Sequence, residues 1–521
     1  MKTLANMAKI MAGVYGAVVL LLSCSDDVLN ALNKDKDHPA GVESKYILAE
    51  VITSTAFHNI GGDINTYVST YVEHEAGIDN QLWRAEMRTG EPSLASTYNN
   101  VWESLYEALR NARIAIAQCS EGGREEGNLV TRGIARILEA YNSALITDMF
   151  GDAPWSEAAL VDENGSPKYM TPKIDRQEDI YTGIMACLDA AIADLQGADV
   201  RGIGNYDLLY AGDKAKWLKL AYGLKARYTL HLLHRTSGQA TELDRILNFA
   251  SQSFASAGEQ AAFNVYDATN YNPLFDFQWS RDGLAASESL AEKLIERNDP
   301  RLRRVFTGAD WMQIENQNSE NYFMAPNGSP EQKRYYYNTS TFVYSQLAPT
   351  MFMSYHELLF IQAEALARKG QTDEAKTVLK DAVIAAVANT ETGIAAAMNA
   401  PDVNRFGGLG FTSDPVSADE AAEYFDTSVA PLFDANPLQE IMVQKYLAFH
   451  GASGESTEAY NDVRRLKALN ENFITLKNPN RFPHRLGYGN SDTTTNPEMT
   501  AAFGDGLYVY SEPVWWAGGN R

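Results

Sequence analysis

The sequence predicts a mostly α-helical fold in which paired helices form a scaffold and a loop-rich region with few short strands is added to them. Three observations carry this expectation. The stretch Ser354 to Val387 reads as two helices joined by one glycine turn. Apolar residues recur at helical spacing over about 42–236 and again over about 350–470. With 521 residues, 45% of them hydrophobic and 11% aromatic, the chain can bury a large core.

Taken in order, the chain opens with Lys2 and Lys9 ahead of an apolar run from Ile10 to Leu22. That run is too short to span a bilayer and suits the core of a signal peptide over residues 1–23. Leu21-Leu22-Ser23-Cys24 resembles a bacterial lipobox, which implies lipidation of Cys24. Residues 24–41 read as a tether, and 42–521 as one domain. Helices are expected from Lys45 to Phe57 and, after Gly61-Gly62, through Tyr67, Tyr71 and His74. Gly77 to Ser96 reads as a loop carrying Asp79, Asn80, Gln81, Trp83 and Arg84.

Four further helices are expected, through Trp102 and Leu109, Ile134 and Tyr141, Ile180 and Leu188, and Trp217 and Leu224. The region from about 237 to 349 has weaker periodicity, and only Ser287 to Arg297 is expected to be helical there. Tyr335 to Tyr344, rich in Tyr, Thr and Val, suits strands. In the helical pair, Ser354 and Glu357 have the spacing of a reciprocal capping box, Gly370 ends the first helix and Thr372 caps the second. Such a pair resembles one tetratricopeptide-type unit, which buries its apolar face only against neighbouring pairs. Ala388 to Leu432 reads as a loop-rich insertion. Helices follow from Pro437 and after Gly454, and the tail 478–521 reads as mostly irregular, punctuated by Pro483, Pro497 and Pro513.

A formal charge of −23 argues against nucleic acid, whose phosphates are recognised by clustered Lys and Arg. Cys119 and Cys187, left after Cys24, are no disulfide framework in a chain this long and read best as free thiols. His231 and His234 share a helix face but lack the Glu that a zinc protease motif needs. Asp162 to Gly165 lacks a full calcium loop. Ser453 misses the nucleophile-elbow spacing by one position. Carboxylate pairs such as Glu73 and Glu75 are inevitable among 67 acidic residues. No cofactor or metal is expected.

Several segments together resemble the SusD/RagB family of Bacteroidetes surface lipoproteins. They are Trp102 with Leu105-Tyr106, Phe150 to Trp155, Trp217, Asn298 to Leu302, Tyr355-His356-Glu357, Ile441 to Tyr446, Asp462 to Arg465, Phe482 to Arg485, Asn496-Pro497 and Val514-Trp515-Trp516. A tryptophan common before the double arginine is replaced by Tyr460-Asn461. The resemblance implies a non-enzymatic protein, lipid-anchored on the outer face of the outer membrane. It would bind an oligosaccharide or oligopeptide and partner a SusC-like TonB-dependent transporter. The acidic run after Cys24 is similar to the family's surface-export signal. Flat aromatic faces ringed by amides and carboxylates suit such ligands, which nominates Asp79, Asn80, Gln81, Trp83, Tyr98, Trp279, Tyr335 and Tyr336. Gly151 to Pro154 and Asp462 to Arg465 read instead as turns and ion pairs that join helices. The rival readings are a helical surface hydrolase using paired carboxylates and a purely structural transporter lid.

Overall fold

The structure is a computed structural model and describes residues 41–521 apart from 91, 93–97, 163–164, 309–322, 410–413 and 452. The expected signal peptide, Cys24 and the expected tether up to residue 40 lie outside the described residues.

Helix α1 (Ser44–Ser54) runs into a π-helical turn (Thr55–Ile60), and α2 (Asp63–Tyr71) follows the two glycines. Strand β1 (Glu75–Gly77) leads into α3 (Asn80–Met87), a helix where the sequence reads as loop. The scaffold continues with α4 (Asn99–Cys119), α5 (Leu129–Phe150), α6 (Gln177–Leu195) and α7 (Lys214–His231), each at its expected place. The short ladder of β2 (Ala153–Pro154) with β3 (Ile174–Asp175) closes the α5–α6 connection. Close approach of α5 and α6 is built on Gly133, where a Cβ would stand 2.9 Å from Leu195.

The region 237–349 holds more helix than its periodicity suggests. Besides the expected α10 (Glu288–Glu296) it contains α8 (Gln239–Ala250), α9 (Pro273–Arg281) and the single turn α11 (Leu302–Val305). In α9 Pro273 takes the first turn, where its missing N–H is not needed, and the Asn272 side chain accepts from Leu274 N–H. The strands are short: β4 (Ala261–Phe263), β5 (Leu284–Ala286), β6 (Phe306–Thr307), β7 (Thr339–Ser340) and β8 (Thr350–Met353). They form two-stranded antiparallel ladders β1–β5, β4–β8 and β6–β7. Of the stretch Tyr335 to Tyr344, only Thr339-Ser340 is strand and Thr341–Tyr344 is a 3-10 turn.

The predicted helical pair is α12 (Tyr355–Arg368) and α13 (Thr372–Met398), with Gly370 at φ 78° between them. Half of the capping box forms. Ser354 Oγ accepts from Glu357 N–H at 3.1 Å, but Ser354 N–H donates to Glu455, and Glu357 turns inward to Arg227 Nε at 2.7 Å. Thr372 is the first helical residue and no side chain caps α13. That helix extends well past Val387 because Thr390, Gly393, Ile394 and Ala397 continue its buried stripe, and Gly393 lets Phe342 approach to 3.0 Å of where a Cβ would be. The expected insertion 388–432 is therefore largely helical, with α14 (Pro401–Asn404), α15 (Ala418–Tyr424) and a π turn that leads into α16 (Ala430–Ala435). Then come α17 (Pro437–Phe449) and α18 (Ser456–Ala468). The tail is irregular except for α19 (Asn490–Thr495), α20 (Pro497–Phe503) and one 3-10 turn.

A main core gathers α1 to α8, the strands and the tail, while α12, α13, α15, α16 and α17 enclose a smaller one. Buried ion pairs stitch the two together. Arg465 donates to both Glu364 oxygens at 2.7 and 2.8 Å and to Asp462 at 2.8 Å, and Lys445 reaches Asp462 at 2.8 Å. Although burial opposes its charge, Arg465 and Arg368 hold the Glu364 carboxyl well below the usual carboxylate range. The segment Asp462 to Arg465 thus joins helices, as its sequence suggests.

Candidate functional site

The register of β1 against β5 pairs Glu75 with Ala286 and Gly77 with Leu284, and Ile78 N–H donates to Gly283 O at 2.9 Å just beyond the ladder. One residue further, the two chains leave as Asp79 and Asp282. A third segment, distant in sequence, bridges them: Arg334 Nε donates to Asp79 at 2.9 Å, and the hydroxyl of Tyr335 donates to the Asp282 carboxylate. Asn80, Asp282 and Tyr335 all have left-handed backbones, at φ 46°, 48° and 55°. Asn and Asp tolerate that region, but a tyrosine there is strained and persists only where its surroundings over-determine it. Tyr335 is nevertheless 58% exposed, so the strain holds a ring out to solvent.

Around this clamp, Asn80 accepts from Arg84 at 3.1 Å and Trp83 Nε1 donates to Pro330 O at 3.0 Å, leaving the half-buried Trp83 fixed in orientation. Gln81, on the first turn of α3, is also half-buried. Tyr336 carries the Lys333 ammonium 3.9 Å from its ring centre and meets the edge of Phe323, itself half exposed. At the other flank of Asp282, Trp279 stacks on Phe275 at 5.4 Å and lies 6.0 Å from Phe406, which is 60% exposed. Of the nominated residues, Asp79, Asn80, Gln81, Trp83, Trp279, Tyr335 and Tyr336 thus belong to one neighbourhood built from α3, the end of α9 and the segment 330–337. Tyr98 does not. It is 1% exposed, its hydroxyl shares a 2.7 Å hydrogen bond with Tyr71 inside the core, and it has no face to offer a ligand.

A larger cleft, about 1,070 Å³, lies on the other face of α9. Pro273, Asp276, Phe277 and Ser280 of α9 face Glu50 of α1, Phe57 of the π turn and Glu103 of α4 across it. Burial raises the carboxyls of Glu50 and Asp63 in its wall. The sequence reading missed this cleft, although the i, i+3, i+4, i+7 spacing from Pro273 to Ser280 was available to show a shared face.

Most of the other residues weighed from the sequence are engaged inside the fold. His231 sits between Glu458 at 2.9 Å and Asp148 at 3.4 Å; burial opposes its charge, yet the two carboxylates push its pKa up to about 9. Ser453 is engaged by Asn272. Glu73 accepts the N–H groups of Lys477 and Asn478, both at 2.7 Å, whereas Glu75 is pushed by burial up to about 8. Asp162 closes a turn onto Ser166 N–H. Cys119 and Cys187 are free thiols. Among the described residues no three His, Cys, Asp or Glu side chains are arranged to hold a metal ion, and no helix is long and apolar enough to cross a membrane.

The helical scaffold thus carries aromatic side chains on α3, on α9 and on the segment 330–337, and comparison with known proteins names the class. Residues 43–489 match the SusD-like family described as starch-binding and associating with the outer membrane. The chain belongs to that family. A SusD/RagB family protein from Bacteroides thetaiotaomicron, of known crystal structure, is 53% identical, with a TM-score of 0.86 over 92% of this chain and 100% of that one. A chitin-binding protein (20% identity, TM-score 0.69, 92% and 99% coverage) and a SusD homologue from Bacteroides fragilis (18%, 0.68, 91% and 100%) share the fold. None of the curated proteins matches the sequence.

Proposed function

We propose that the protein captures an oligosaccharide on the surface formed by Trp83, Trp279, Tyr335 and Tyr336 and delivers it to a SusC-like TonB-dependent transporter, with a lipid on Cys24 holding it at the cell surface. The observation that carries this reading is the clamp at Asp79 and Asp282, where a strained, exposed Tyr335 is fixed beside carboxylates by three chain segments. Sugar rings stack on flat aromatic faces through their C–H groups while their hydroxyls bond to flanking carboxylates and amides. Preorganised rings lose little freedom on binding, which leaves more of the contact energy as affinity. No bond is made or broken in this reading. Family membership supports a starch-type glycan over a peptide.

Calorimetric titration with malto-oligosaccharides and chito-oligosaccharides tests it. Replacing Tyr335 or Trp279 with Ala should each weaken binding by about tenfold, on the order of 1.4 kcal/mol for a stacked ring, with the circular dichroism spectrum unchanged. Unchanged affinity in both variants would move the site elsewhere, and shortened sugar products would replace the binder with a hydrolase.

A further inference from the structure

We propose a second binding site, for a phosphate or sulfate group, in a cleft of about 330 Å³ where the C-terminal end of α18 meets the segment around His484 and the chain near Gly518. His234, Arg464, Lys467 and His484 line it, and no described lining residue is acidic. That is unusual in a chain with 67 acidic against 44 basic residues. Elsewhere the buried guanidiniums of Arg227, Arg301 and Arg465 each face a carboxylate. Arg464 does not. It is 2% exposed, sandwiched between the rings of Tyr460 at 4.2 Å and Trp516 at 4.8 Å, and its Nη1 donates to Asp148 O at 2.7 Å. Nη1 also donates to His484 O at 3.2 Å and Nη2 to Asn461 Oδ1, while its Nε–H has no acceptor among the described residues, as is true too of Arg465 Nε and of the Arg485 nitrogens; only Arg464 of these lines the cleft. A buried donor left unpaired is costly, and a bound oxyanion would satisfy it.

Lys467 also lacks a carboxylate partner among the described residues and rests 4.8 Å from the Phe482 ring centre. Burial, and then Lys467 and Arg464, push the His484 imidazole down to about 4; burial and Arg235 lower His234. Both rings are therefore neutral at pH 7, each with one N–H to donate. Burial and Arg88 lower Lys467 in turn. A tetrahedral oxyanion offers several acceptor oxygens to this set of donors, and its charge offsets the repulsion from Lys467 and Arg464 that adds to burial in lowering His484.

The test uses the full chain carrying Cys24→Ser, titrated calorimetrically with sodium sulfate, with chloride at equal ionic strength as reference. Sulfate should bind saturably and chloride should not. Lys467→Met and His484→Gln should each weaken sulfate by roughly tenfold, the value of one charged hydrogen bond. Because sulfate does not titrate between pH 7.5 and 5.5, an affinity that rises as pH falls through that range reports protons drawn onto His484 and His234. Sedimentation with phosphatidylglycerol vesicles identifies the source: binding abolished by Lys467→Met assigns the site to membrane headgroups, and sulfate binding without vesicle binding assigns it to soluble esters. No saturable sulfate response, or one unchanged in both variants, overturns the proposal.

Discussion

At the scale of single residues, Arg465 and Glu364 have no exposed side-chain surface, so neither charge has water to fall back on. Arg465→Met should destabilise the fold by roughly 3–5 kcal/mol in a urea melt, because it removes both hydrogen bonds that Arg465 gives Glu364 and the one it gives Asp462, leaving buried Glu364 with Arg368 alone. Glu75 poses the opposite case. Its carboxyl ordinarily titrates near 4.5 and is held at about 8, so between those values the folded chain keeps a proton that the unfolded chain has lost. The stability that Glu75 contributes therefore falls as pH rises through that window, and His231, raised to about 9, adds a loss of the same sign above its ordinary 6.5. Glu75→Gln, which mimics the protonated acid, should flatten the slope between pH 5 and 8 by up to about 1.4 kcal/mol per unit, measured by urea melts across that range. An unchanged slope would show that Glu75 ionises normally. The sequence made Ser354 legible as a cap, since a cap is a local matter of spacing. It could not reveal that Glu357 abandons the box for Arg227, 130 residues away.

Among the elements, α3 depends on how tightly the chain turns out of β1. A Cβ on Gly77 would stand 2.1 Å from the Leu82 carbonyl oxygen, so only glycine lets α3 fold back on the strand that carries it. Gly77→Val should cost about 1–3 kcal/mol of stability by overpacking and, by displacing Asp79 and Trp83, weaken glycan binding as well; thermal melts and calorimetry on the same sample check both. Helices with long apolar stripes, from α4 to α7 and then α12, α17, α18 and the first half of α13, could be read because their periodicity repeats over several turns. Short ones could not. With eight residues and two polar ones, Asn80 and Gln81, at its start, α3 reads as loop, and α9 announces itself only through Asn272-Pro273. Gly393 and the alanines around it hide the last turns of α13, because their meaning lies in the Phe342 ring packed on them. The candidate surface was legible as a list of aromatic and polar residues but not as a place. Joining Asp79 to Asp282 requires the β1–β5 register, which no local pattern encodes, and Tyr98 shows how an aromatic in a similarly polar stretch can belong to the core.

For the molecule as a whole, the net charge of −23 should matter little to capture of a neutral sugar. Raising NaCl from 50 to 500 mM should change glycan affinity by less than about twofold, since stacking and short hydrogen bonds act within a screening length. A steep salt dependence would point instead to a cationic ligand. The tail offers a different kind of consequence. Trp102 of α4 donates to Asp492 at 2.6 Å, Leu486 N–H to Met149 O at 2.8 Å, Arg235 to Trp515 O at 2.7 Å and Trp516 to Asp148 at 2.8 Å. Helices made in the first half of synthesis thus wait for partners made at the very end. The core around α4 and α5 therefore closes through contacts more than 300 residues apart in sequence, a topology that makes folding slow and leaves apolar surface open until residues 486–516 have docked.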